Sequence, residues 1–164
     1  MIPQSRDTLR PISTGNGGVR PTAQTFTTPA DDHAHMERTH VSSGTEWEDA
    51  VAYSRAVRAG NRVAVAGTTA TGPDGDPVAP GDPYQQTRHA LGLVAVALDE
   101  AGASPDDVIR TRLFVTDVDD WEAVGRAHAE MFGDVRPAAT MVEVSRLVHP
   151  DLVVEVEAEA LVEE

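Results

Sequence analysis

The sequence predicts an α+β domain: one mixed β-sheet with two helices on one face, in the order β-β-β-α-β-α-β-β. Three observations predict it. Short segments with apolar residues at every second position recur along the chain, which is the period of a strand with two distinguishable faces. Two further segments repeat their apolar residues at helical spacing, and each follows a strand. The right-handed rule for crossover connections then puts both helices on one side of a single sheet.

The elements follow in chain order. Residues 1–35 are rich in Thr, Pro, Gly, Ser and Gln, and Ile2, Leu9, Ile12, Val19 and Phe26 show no period, so this stretch is expected to be a disordered tail. Patterning starts at Met36, as an over-long gene model would also produce, and the folded domain is expected to span 36–164. A short strand is predicted over 37–42, then a loop through Gly44 and Trp47. A strand over 50–58 turns at Ala59-Gly60-Asn61 into another over 62–68, because a Gly-Asn pair between two alternating runs is hairpin chemistry. The segment TGPDGDPVAPGDP is a loop by its Gly and Pro content.

Asp82 is a helix cap with Pro83 in the first helical position, and Leu91, Val94, Leu98 and Ala101 form one face until Gly102 ends it. The run VIRTRLFV, Val108–Val115, is a strand. Asp119 with Glu122 reads as a capping box for a second helix carrying Trp121, Val124, His128 and Met131 or Phe132, ending at Gly133. After Pro137, residues 139–147 and 152–161 read as a closing hairpin about Val148-His149-Pro150. Apolar alternation on both sides of the strands predicts a large apolar patch on the helix-free face, with oligomerisation as the remedy.

Composition narrows the chemistry. There is no cysteine, which excludes disulfides, thiolate catalysis and Cys-based metal sites. The net charge is -14, with 27 Asp or Glu against 13 basic residues, all of them arginine. Nucleic acid and anionic membranes are therefore not the expected partners, since phosphate binding draws its affinity from cationic side chains. A salt-adapted source would screen this charge. No apolar run is long enough for a membrane span, and MIPQSRDTLRPIST lacks the apolar core of a signal peptide, so a cytoplasmic location is expected.

Three segments in order carry a resemblance: YSRAVRAGNRVAVAGTT (53–69), QTRHALGLVAVALDEAGASPDDVIRTRLFVTD (86–117) and RPAATMVEVSRLVHPDLVVEVEAEA (136–160). Together they resemble the opening hairpin, first helix with following strand, and closing segment of the Rid (YjgF-like) family. The resemblance implies a chorismate-mutase-like fold, a homotrimer, and small-molecule clefts between adjacent subunits. It implies no cofactor. In deaminating members, the cleft hydrolyses imines and enamines such as 2-aminoacrylate, with an arginine gripping the substrate carboxylate and a glutamate directing water.

By that resemblance Tyr53 matches a site tyrosine and Glu155 the glutamate. Elsewhere the chain departs: Ala66 stands for a serine, Gly125 for an asparagine, Met141 for a cysteine and Ala139 for the arginine. A charge-assisted bond to a carboxylate is worth about 1.5–3 kcal/mol, so amino-acid-derived imines are expected to bind poorly. The chain thus resembles the subgroup without that arginine.

Arg112, Glu143 and Glu155 are expected to converge in the cleft, Arg112 binding an anionic or polar ligand beside Met141 and Ala139. The alternative is that Arg112 and Glu143 form a cross-strand pair. Glu155 lies among Val153, Val154 and Val156, and an interior position would raise its pKa. The alternative makes Glu155, Glu157 and Glu159 one solvated stripe. Tyr53 is either pocket-lining or a core aromatic with a bonded hydroxyl. No metal site is expected: His128-Ala129-Glu130 has the spacing of a zinc deaminase but lacks its cysteines, and Asp32, His33, His35 and His40 lie mostly on the tail. Two function classes remain, an imine or enamine hydrolase and a non-catalytic trimeric metabolite-binding protein. Ribonuclease activity fits the -14 charge poorly.

Overall fold

Six strands and three helices make up the computed structural model, which describes residues 37–163; the expectations for 1–35 lie outside them. In order they are β1 (Arg38–Val41), α1 (Glu46–Val51), β2 (Ala56–Ala59), β3 (Arg62–Thr69), α2 (Pro83–Glu100), β4 (Val108–Val115), α3 (Trp121–Phe132), β5 (Ala138–Glu143) and β6 (Val154–Leu161). The strands form one sheet in the order β1-β2-β3-β6-β4-β5, with β4 and β5 parallel and the other neighbours antiparallel. The α+β class and the mixed sheet are as the sequence predicts.

The Gly60-Asn61 turn joins β2 and β3, with Gly60 at φ 61, a conformation that glycine adopts without strain. At the start of α2, the Asp82 side chain accepts from the Gln85 backbone N–H and Pro83 occupies the first turn. Leu91, Val94 and Leu98 of α2 are buried with Val63, Val65, Val154, Val156 and Phe132 in one core. Both helices lie on this side of the sheet, α2 packing on β3, β6 and α3.

Three expectations are corrected. Residues 50 and 51 belong to α1, and β2 begins only at Ala56, so Tyr53 sits between a short helix and a strand. The cap before α3 is Asp117, whose side chain accepts from the Asp119 N–H on a 3-10 turn; Asp120 is the residue at the helix boundary and makes no side-chain cap bond.

The closing hairpin is absent. β5 ends beside β4 in parallel and β6 enters on the other side of β4, so residues 144–153 cross the end of that strand. Val115 O and Thr116 N–H hold the two ends of the crossing, accepting from Val144 N–H and donating to Val153 O. Gln86 pins its middle: fully buried on α2, it donates Nε2 to Asp151 O at 2.7 Å and accepts from Val153 N–H at 2.8 Å. Backbone groups that a hairpin would have paired are thereby satisfied by a side chain.

The helix-free face is charged rather than broadly apolar. Pairing registers set Arg112 opposite Glu157, Arg110 opposite Glu159 and Ala64 opposite Glu159, all on the face away from the helices. The alternation Val154, Val156, Ala158, Ala160 fills the core and leaves Glu155, Glu157 and Glu159 outward.

Candidate functional site

The outward residues of β6 organise this face. Arg112 on β4 donates Nη1 to Glu157 Oε2 at 3.2 Å and Nη2 to Glu159 Oε1 at 3.0 Å, while Arg62 approaches Glu159 at 3.8 Å. A groove beside this cluster is walled by Tyr53, Ala66, His40, Arg112, Glu157 and Glu159. Tyr53 and Arg112 therefore line one groove. Glu155 stands past its end, two residues along β6 from Glu157.

A bulge makes room for Glu155. Between Val65 and Thr68 the register with β6 shifts, so Ala66 and Gly67 together face one residue of the partner strand. A Cβ on Gly67 would overlap Glu155 Oε1 and lie 3.0 Å from its Cδ. Glycine at this position lets the carboxylate rest against the β3 backbone.

Burial pushes the Glu155 carboxyl above the ordinary glutamate value, Glu157 pushes it further, and Arg55 pulls against both. A half-buried carboxylate with a raised pKa holds its proton more tightly than an exposed one, which suits it to proton transfer.

Arg55 is the residue that sequence reasoning missed. It precedes β2 and donates Nη1 to Gly67 O at 3.0 Å and to Thr68 Oγ1 at 2.8 Å, and Nη2 to Tyr53 Oη at 3.3 Å. Its guanidinium carbon lies 5.5 Å from the centre of the Tyr53 ring. The available signal was Gly67 itself, since an isolated glycine within a strand pattern marks a bulge or a close backbone approach.

Behind Arg55 lies Glu48 of α1, only 6% exposed. Burial raises its pKa, but hydrogen bonds from Ser42 Oγ, Ser43 Oγ and Ser43 N–H, with the Arg55 charge, outweigh burial and hold the carboxyl below its ordinary value. Trp47, beside it on the same helix, is 70% exposed.

The expected convergence of Arg112, Glu143 and Glu155 does not occur. Glu143 pairs in register with Val115, a core residue, and so belongs to the opposite face from Arg112 and Glu155. Its Oε2 accepts from the Val118 N–H at 3.1 Å, and the cross-strand alternative fails too, because Arg112 is taken by Glu157 and Glu159. Register decides this: residues one apart on β5 alternate faces, so Ala139, Met141 and Glu143 go together toward the helix side. Met141 packs on the core and Gly125 lies on α3, behind the sheet. His128 and Glu130 separate as well. The ring of His128 meets Thr111 Oγ1 at 2.9 Å and Phe132, with burial holding its pKa below the ordinary value, while Glu130 accepts from Tyr84.

Comparison with known proteins places this geometry among relatives. The model of the family described as Endoribonuclease L-PSP matches residues 44–162. An uncharacterised protein of Streptomyces coelicolor is 46% identical over 121 residues, covering 73% of this chain and 89% of that protein. The protein named 3-aminoacrylate deaminase RutC in Acinetobacter baylyi is 38% identical over 104 residues, covering 63% and 82%. Among solved structures, Rv2704 of Mycobacterium tuberculosis, from the YjgF/YER057c/UK114 family, aligns with a TM-score of 0.70 at 52% identity, over 77% of this chain and all of that one.

Proposed function

This chain belongs to the Endoribonuclease L-PSP family, which is the YjgF/Rid family, and from that premise we propose that it is a hydrolase of the imine or enamine deaminase type. The observation that carries the reading is Glu155, a half-buried carboxylate with a raised pKa, seated on a glycine bulge within reach of the Arg55 charge. A relative named for deaminating 3-aminoacrylate, an enamine, supports the reaction class.

In the reaction, water oxygen bonds to the imine carbon as Glu155 takes the water proton, and the C=N π pair moves to nitrogen, which is protonated. The resulting carbinolamine expels ammonia as its hydroxyl proton leaves and the carbonyl forms. Glu155 serves each transfer because its pKa lies closer to neutrality than that of an exposed glutamate. Tyr53 and Ala66 shape the pocket.

The substrate class is an imine or enamine without an α-carboxylate, because Ala139, which stands for the family arginine by resemblance and lies exposed on the edge strand β5, brings no guanidinium to a cleft shared with a neighbouring subunit. A homotrimer completes the cleft: the site opens on an uncovered sheet face, and β5 keeps one edge unpaired. Ribonuclease action is disfavoured by the -14 charge and the absence of lysine. The second reading, a trimeric metabolite-binding protein without catalysis, is favoured by Ala66, which leaves a groove position without a functional group.

Ammonia release separates the two. Imines generated in situ by an amine oxidase, lacking the carboxylate, are expected to be hydrolysed faster than those from an amino-acid oxidase. Ala139→Arg is expected to improve the second class by roughly 10-fold or more, the effect of one charge-assisted bond. Wild-type protein that accelerates neither would leave the binding reading, and a stable monomer in light scattering would contradict the shared cleft.

A further inference from the structure

We propose that Arg55 is a positioning residue of this site, its guanidinium fixed by the β3 bulge so as to set the charge of the Glu155 carboxylate and the placement of the Tyr53 hydroxyl. The inference rests on the reading of Glu155 as the water-directing group.

Geometry supplies the first argument. Cation and carboxylate meet at one glycine from two different elements: Arg55 Nη1 donates to the Gly67 carbonyl, and the Glu155 carboxylate occupies the space a Gly67 side chain would need. The bulge therefore fixes the two charges relative to each other. Thr68 Oγ1 adds a second anchor on the same nitrogen, and Thr68 is itself buried and donates onward to Ala66 O at 2.8 Å. Tyr53 is held by the other terminal nitrogen. A planar fork bound at both ends cannot swing away, which a lysine ammonium could do.

Electrostatics supplies the second. Arg112 spends its charge on Glu157 and Glu159, and Arg58 caps the end of α2 by donating to Ala101 O and Gly102 O. The three acceptors of Arg55 are neutral, so its charge acts on Glu48 behind it and Glu155 in front, lowering both. Facing Glu155 from the other elements are Glu157 on its own strand, Phe114 opposite on β4 and Thr69 on β3, with Arg112 on β4 bound to Glu157. Arg55 is thus the counterweight to burial and to Glu157.

The third argument is cost. Arg55 Nε is the one buried side-chain nitrogen or oxygen without a hydrogen-bond partner among the described residues. A buried donor without a partner costs stability. Such a placement is explained by what the charge does for its neighbours rather than by stability.

The test is the titration of Glu155, followed by NMR in full-length protein labelled with ¹³C at the glutamate side-chain carboxyl, in wild type, Arg55→Met and Arg55→Lys. Removing the cation is expected to shift the midpoint upward, and Arg55→Lys, which keeps the charge but not the anchored fork, to shift it less. An unmoved midpoint in folded Arg55→Met, or an equal shift in Arg55→Lys, overturns the proposal. Should Arg55→Met fail to fold, Thr68→Val releases one anchor and keeps the charge. A smaller upward shift there supports the proposal and no shift overturns it. A shifted midpoint in a protein that hydrolyses no imine overturns the reading of Glu155 while leaving the effect of Arg55 on the carboxylate in place.

Discussion

On β6, Val154, Val156, Ala158 and Ala160 are buried beneath the helices, while Glu155, Glu157 and Glu159 between them stand half-buried on the uncovered face. The covered face is apolar and closely packed, and its contribution scales with area removed from water. The uncovered face is a lattice of charges, Arg112 between Glu157 and Glu159 and Arg55 beside Glu155, whose contribution depends on placement more than on area. A one-residue step along a strand separates stability from chemistry. A site built this way can change its recognition groups, as at Ala66, without disturbing the core.

Substitutions on the two faces should therefore differ in size. Leu98→Ala, deep in the core, is expected to cost about 2–5 kcal/mol of unfolding free energy, read by chemical denaturation. A cost below ~1 kcal/mol would mean the helix layer is looser than its burial indicates. Arg112→Ala removes two ion-pair contacts, but the groups are 30–40% exposed and solvent screens them, so the expected cost is at most about 1 kcal/mol. A clearly larger value, growing with protein concentration, would indicate that a neighbouring subunit covers this cluster.

The fold was legible in the sequence where the signal is local. The Gly60-Asn61 turn, the Asp82-Pro83 helix start and the alternation of β3, β4 and β6 each follow from neighbours within a few residues. Strand order was not legible. Val148-His149-Pro150 has turn composition, and nothing nearby distinguishes a hairpin from a crossing over the end of β4 pinned by a glutamine 65 residues earlier. The short helix α1 was lost because its apolar residue Val51, with Tyr53 just after it, also fits a two-residue period. Glu155 and Tyr53 were named as candidates by resemblance. Arg55 was not, since a lone arginine in an alternating segment looks like any solvent-facing charge until the bulge brings Gly67 to it. Glu143 was misplaced by assuming that its face was the face of Glu155, a relation that only the register with β4 decides.

The account holds that Glu155 is kept for chemistry at some expense to the fold. Burial raises its pKa first and Glu157 second, against the pull of Arg55, so the folded chain holds this proton more tightly than the unfolded one. Its contribution to stability is therefore full below the unfolded glutamate pKa and is lost as pH rises through the higher folded value. The measurement that bears on this most directly compares wild type with Glu155→Gln, reading ammonia release and denaturant unfolding at neutral and acid pH. The variant is expected to be the more stable protein at neutral pH, to lose that advantage in acid, and to release ammonia some 10²–10⁴-fold more slowly. A variant that is less stable at neutral pH and hydrolyses imines as fast as wild type would contradict it.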